Sequence, residues 1–124
     1  MRDMRVCFAE YGANYIETME RFLGNEALYL RLLGKLFPNS ELQKLGAALE
    51  ADDKAGAFET SHTLKGVAGN LGLTPLYKAL CALVEPLRAG KERAHYPALY
   101  QSVQAEFRRA EEFWANLKEA KPNG

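Results

Sequence analysis

The sequence has little cysteine, no excess of charge of either sign and no long hydrophobic run. Its two cysteines, Cys7 and Cys81, lie far apart without CxxC spacing, so we expect reduced packing residues rather than a disulfide. Sixteen basic and sixteen acidic residues cancel. No global field therefore favours nucleic acid, an anionic membrane or an acidic substrate.

The sequence also leads us to expect no targeting segment and no membrane-spanning segment. The N-terminal stretch MRDMRVCFAEYG is not apolar enough for a signal peptide, and no run approaches the roughly 20 residues that span a bilayer. We therefore expect a cytoplasmic protein with no membrane or nucleic-acid partner. At 124 residues, 48% of them hydrophobic, the chain fits one globular domain over 1–124.

Helical periodicity runs through nearly the whole chain, and no stretch alternates with a period of two. The sequence predicts an all-α fold, an antiparallel four-helix bundle with a short additional N-terminal helix. Residues 1–12 form either a short helix or a loose arm, and residues 119–124 are expected to fray. A short helix is predicted over 14–24. Its apolar stripe comprises Ile16, Met19, Phe22 and Leu23.

Cap and breaker residues divide the middle of the chain. Asn25 can cap a helix by accepting a bond from a first-turn amide. Pro38 interrupts the pattern, and Asn39 or Ser40 can cap the helical segment after it. The two pieces are therefore either one kinked helix or two.

The next helix is predicted to run from about residue 54 to Leu71. Asp52 or Asp53 can cap its start, and Gly72 tolerates the positive φ that often occurs just beyond a helix end. These signals make this helix the best bounded in the chain.

Prolines lie at the predicted starts of the last two helices and inside the first of them. Thr74 is the predicted cap of the first, with Pro75 in its first turn, and Pro86 inside it predicts a kink or an early end. Pro97 opens the final and longest helix, which runs to about Lys118. Three aromatic residues of that helix are assigned to the core or its rim: Phe107, Phe113 and Trp114.

His62 lies on the outer face of the helix from 54 to 71. A helical wheel places it roughly 150° from the centre of the apolar face, so it should point to solvent. The apolar face comprises Ala57, Ser61, Leu64, Val67, Ala68 and Leu71. A lone exposed histidine is most often an ordinary surface residue, so its neighbours decide what it means.

The residues around His62 indicate a functional role rather than an ordinary surface position. Lys65 lies on the flank at i+3, and Phe58 would be an exposed aromatic suited to docking. Helical glycines cost about 0.5–1 kcal/mol each relative to alanine. We interpret Gly66 as a position where the missing side chain leaves space, so that another protein can enclose the imidazole. Gly69 either adds docking clearance or serves helix packing.

Phosphoryl transfer to a ring nitrogen suits this arrangement. Neutral imidazole is nucleophilic near pH 7 without a general base, and Lys65 would partly neutralise the incoming phosphoryl charge. The chain has no glycine-rich phosphate loop and no carboxylate cluster for Mg²⁺. We therefore expect a phosphocarrier without kinase activity and without a metal or cofactor of its own. His95, which has no histidine or cysteine at ligand spacing, is expected to be a surface residue.

The run SHTLKGVAGNLG, residues 61–72, resembles the signature of histidine-containing phosphotransfer (HPt) domains, small-His-x-Leu-Lys-Gly and then Leu-Gly. The resemblance covers roughly residues 14–90. It implies that the protein is a four-helix bundle that acts in a bacterial multistep phosphorelay. By the same resemblance His62 is the phosphoacceptor at Nε2, Lys65 stabilises the phosphate and Gly66 provides clearance.

The resemblance also implies partners. Phosphate would come from a receiver-domain aspartate, usually in a hybrid sensor histidine kinase, and pass to the receiver domain of a response regulator, with Mg²⁺ held by the partner receiver. The sequence departs from the family in Ser61, where alanine is common, and in Pro86, which affects the shape of the docking flank.

Other interpretations stay open. The phosphoacceptor domain of chemotaxis-type kinases shares much of the motif, but no kinase domain follows, so we expect a free-standing monomeric module if the chain is complete. A helical adaptor that binds receiver or kinase domains without carrying phosphate is the main alternative. Pairing of two copies through the last helix is another.

Overall fold

The structure, a computed structural model, describes residues 3–37, 40–92 and 95–120. These residues contain seven α-helices and no β-strand, which confirms the all-α prediction. The helices are α1 Met4–Tyr11, α2 Tyr15–Arg21, α3 Glu26–Gly34, α4 Ser40–Glu50, α5 Lys54–Asn70, α6 Thr74–Arg88 and α7 Tyr96–Glu119.

Helices α4 to α7 form the bundle. Helix α5 packs against both α4 and α6, and α7 packs against α6 and also contacts α4. Short turns between successive helices make neighbours antiparallel. Three short helices, α1, α2 and α3, precede the bundle. Helices α1 and α3 pack on α7, so the N-terminal segment adds a further layer to the bundle.

Side-chain caps set several of the helix starts. Asn25 accepts a bond from the amide of Leu28, as predicted, and Asp53, one of the two predicted candidates, accepts one from the amide of Gly56. The predicted cap at Thr74 was wrong, because α6 already includes this residue and no side chain caps its start. Pro75 in its first turn has no N–H to leave unsatisfied, so this start needs fewer partners.

Helix ends agree with the predictions less closely. Gly72 has φ +68°, as expected beyond α5. Helix α6 continues through Pro86 to Arg88, which rules out the early end that was one of the two alternatives for this proline. A proline this close to the end removes only one hydrogen bond of the last turns. Helix α7 includes Glu119, so the tail predicted to fray from residue 119 starts later than expected.

Separate helices α3 and α4 replace the single kinked helix that the sequence left open. The predicted interruption at Pro38, the alternative cap at Asn39 and the tail 121–124 lie outside the described residues. Residues 4–11 form a helix rather than a loose arm.

Helix α1 contributes aromatic side chains to the core. Phe8 packs edge-on against Phe113 of α7, and Tyr11 stacks on the same ring with centroids 4.4 Å apart. Phe107 is also buried, and Trp114 is half-buried against Phe37, as predicted for core and rim. Other fully buried core residues are Tyr29, Leu33, Leu45, Leu73, Leu80, Leu83, Val103 and Ala110. Within the described part of the chain, neither Cys7 nor Cys81 forms a disulfide.

Three apolar residues predicted to face the core are exposed instead. Ile16 and Leu23 are 63% and 94% exposed, and Leu23 lies beyond the end of α2 with φ +55°. Val67 is 37% exposed, because it lies at the edge of the apolar face of α5.

A buried hydrogen bond joins α3 to the end of α5. The Tyr29 hydroxyl donates to the Leu71 carbonyl at 2.7 Å, and burial raises the pKa of Tyr29 so that it stays a donor. Tyr29→Phe removes this donor from a buried carbonyl, and we expect the free energy of unfolding in urea to fall by about 1–2 kcal/mol. Tyr96→Phe, which loses an exposed bond to Lys91, should change it by less than about 0.5 kcal/mol. Equal losses in the two variants would contradict this assignment.

Candidate functional site

His62 is exposed on the outer face of α5, as the wheel predicted. The opposite face holds the helix in the bundle through buried Ala57, Ser61, Leu64 and Ala68. The Ser61 hydroxyl donates to the Ala57 carbonyl at 2.7 Å, so a polar residue is satisfied within the core. The serine therefore fits the place where alanine is common.

Phe58 contacts the imidazole directly. The two ring centroids lie 5.5 Å apart, with 26° between the ring planes. The Arg88 guanidinium of α6 lies 5.7 Å from the Phe58 ring centroid. Phe58 is thus half-buried rather than the exposed aromatic that the sequence predicted. No sequence pattern indicated Arg88, which is 26 residues away from His62 along the chain.

Lys65 lies on the flank of α5 that faces α6, in agreement with the wheel. It is half-buried, and its Nζ lies 5.9 Å from the Tyr77 ring centroid. This contact holds a cation on the flank next to the exposed histidine. Sequence reasoning missed Tyr77, whose spacing gives no indication that it lies against α5.

The two glycines of this face differ in their surroundings. A Cβ at Gly66 would meet nothing within 4 Å, so packing does not require glycine there. A Cβ at Gly69 would lie 3.3 Å from the Tyr77 ring. This close approach favours the packing interpretation of Gly69, and its docking role stays a prediction.

Arg21 of α2 binds the C-terminal end of α5. Its Nη1 donates to the Gly69 carbonyl at 3.0 Å and lies 3.5 Å from the Asn70 carbonyl. A cation is favourable there because the last carbonyls of a helix lack intrahelical partners and carry partial negative charge. An open cavity of about 400 Å³, bordered also by Asn14 and Tyr77, lies between α2 and this helix end.

His95 lies exposed at the start of α7, as predicted for a surface residue. Within residues 3–37, 40–92 and 95–120, no three His, Cys, Asp or Glu side chains are grouped to hold a metal ion. No helix in the described part of the chain is both long and apolar enough to cross a bilayer.

Comparison with known proteins assigns the chain to a family. The family model of the Hpt domain matches residues 39–118, which include α4 to α6 and all of α7 except Glu119. The chain belongs to the Hpt domain family. Hpt domains are helical bundles that act as phosphocarriers, not kinases, in histidine phosphotransfer, and they interact with receiver domains and kinases. No curated protein and no solved structure matched the chain.

The Hpt match has different limits from the resemblance found in the sequence. It includes the last helix, for which the motif gave no support, and it leaves out residues 14–38. The exposed histidine therefore lies in the second helix of the matched Hpt bundle. Arg21, which binds the end of that helix, comes from outside the matched region.

Proposed function

We propose that this protein is a phosphorelay intermediate that accepts a phosphoryl group on His62 and passes it on. The donor is a receiver-domain aspartate of a hybrid sensor histidine kinase, and the acceptor is the aspartate of another receiver domain. The observation that carries the proposal is the exposed imidazole on α5 of the Hpt bundle, with open space beside it at Gly66.

The chemistry depends on the imidazole and its flank. A ring nitrogen attacks the phosphorus of the aspartyl phosphate, the N–P bond forms, the P–O bond breaks and aspartate leaves as carboxylate. The proton on the other ring nitrogen stays in place. The second transfer runs the same exchange in reverse onto a new aspartate. Lys65 offsets phosphoryl charge during both steps, and the partner receiver supplies Mg²⁺.

The test is direct labelling. Incubation with a phosphorylated receiver domain should give acid-labile, base-stable label that maps to His62. Failure to acquire label from any receiver of the host would contradict the proposal. Binding to a receiver without label would identify the protein as an adaptor instead. Sedimentation during the same work checks the predicted monomer.

Lys65 should control the rate of transfer. Lys65→Ala removes the cation held against Tyr77, and we expect the initial rate of labelling to fall about tenfold, because charge stabilisation is lost in the transition state. Lys65→Arg should keep most of the rate. Lys78→Ala, an exposed lysine of α6, is the matched control and should behave as wild type. A Lys65→Ala rate equal to that of the control would remove this role.

A further inference from the structure

Three side chains form a stack along one edge of the α5–α6 pair. Phe58 precedes His62 by one helical turn, and its ring lies nearly parallel to the imidazole with centroids 5.5 Å apart. Arg88 lies on α6, and its guanidinium is 5.7 Å from the Phe58 ring centroid. The Phe58 ring thus contacts both the imidazole and the guanidinium, and it is half-buried while His62 is exposed.

A stack of this kind restricts the motion of the side chains in it. An exposed side chain on a helix ordinarily changes rotamer within picoseconds to nanoseconds. Stacked aromatic rings favour one relative placement, and a cation near an aromatic ring adds a second attraction that restrains the ring. Because α5 and α6 pack closely, both partners of Phe58 are carried on a fixed pair of helices.

We propose that Phe58 and Arg88 are positioning residues that hold the His62 imidazole in its reactive orientation before a partner docks. The kinetic part of this inference rests on the proposed function. Covalent geometry puts Nε2 on the ring edge away from the backbone, so an ordered ring presents that nitrogen to the incoming phosphorus. An imidazole ordered in advance loses less freedom on reaching the attack geometry, which raises the rate.

Kinetics separate positioning from docking. Phe58→Leu keeps an apolar side chain but removes the ring. We expect the maximal single-turnover rate from a phosphorylated receiver to fall about three- to tenfold, the range that an aromatic pair supports. The receiver concentration at half-maximal rate should change less than about twofold. Phe58→Tyr should restore the wild-type rate. Arg88→Ala should lower it by about twofold, and Arg88→Lys should restore it.

A measurement without phosphate tests the same inference independently. Three-bond couplings of His62 in the unphosphorylated protein should report one χ1 rotamer in wild type and in Phe58→Tyr, and averaged rotamers in Phe58→Leu. Thermal unfolding by circular dichroism confirms that each variant keeps the fold.

Two results would overturn the inference. One is unchanged His62 couplings in Phe58→Leu. The other is a raised half-saturating receiver concentration at an unchanged maximal rate, which would make Phe58 a docking residue. If wild type accepts no phosphate but the couplings respond as expected, the stack is confirmed and only the proposed function fails.

Discussion

His62→Gln is expected to abolish phosphoryl acceptance, with no label above background after incubation with a phosphorylated receiver domain. Glutamine is polar and similar in size, but its side-chain amide is not a nucleophile comparable with imidazole, so no N–P bond can form. Because His62 is exposed, the substitution should change the free energy of unfolding by less than about 0.5 kcal/mol. Loss of transfer would then be chemical rather than structural.

The chain supplies its own control for this experiment. Its two histidines are His62 and His95, and both are exposed. His95→Gln should accept label at the wild-type rate. Autoradiography with acid and base treatment, followed by peptide mapping, shows which of the two histidines carries the label. Undiminished label in His62→Gln, or loss of label in His95→Gln, would show that the phosphoacceptor is misassigned.

Gly66→Leu is expected to raise the free energy of unfolding and to lower the rate of phosphoryl transfer. A Cβ at this position meets nothing within 4 Å, so leucine should raise the free energy of unfolding by about 0.5–1 kcal/mol by removing a helical glycine. The same side chain stands one turn beyond His62, where a partner would approach. A misplacement of about 1 Å in the reacting groups can lower the rate about 100-fold, and we expect a loss of that order.

A graded series makes this prediction specific. Gly66→Ala should give the same gain in stability with a much smaller loss of transfer, since a methyl group protrudes less. Ala105→Leu adds a leucine to an exposed position of α7 and should leave transfer unchanged. Urea unfolding and single-turnover labelling measure the two effects. Wild-type transfer in Gly66→Leu would rule out the clearance role.

Features fixed by short stretches of chain were predictable from the sequence. The caps at Asn25 and Asp53 and the positive φ at Gly72 depend on residues within one helical turn, so local chemistry determines them. The outward direction of His62 follows from the periodicity of α5 alone. The position of Pro97 in the first turn of α7 was also predictable from the local sequence.

Features that depend on neighbouring helices were not predictable in this way. Tyr77, Arg88 and Arg21 approach α5 from α6 and α2, and no spacing within one helix indicates which residues of another will meet it. Val67 shows the same limit, since a wheel defines an apolar arc but the packed neighbours decide how much of that arc is covered. Phe58 is likewise half-buried because a residue of another helix, Arg88, lies against its ring.

The N-terminal layer lies outside the matched region but packs against the matched helices. A fragment cut to residues 39–118 would uncover Phe113, which α1 covers with Phe8 and Tyr11. It would also take away the hydroxyl of Tyr29 and the guanidinium of Arg21 that bind carbonyls at the end of α5. Helices α1 to α3 therefore supply packing and hydrogen bonds that the matched region lacks. Transplanting the matched module alone into another protein would carry the reactive histidine but leave its helix without part of its anchorage.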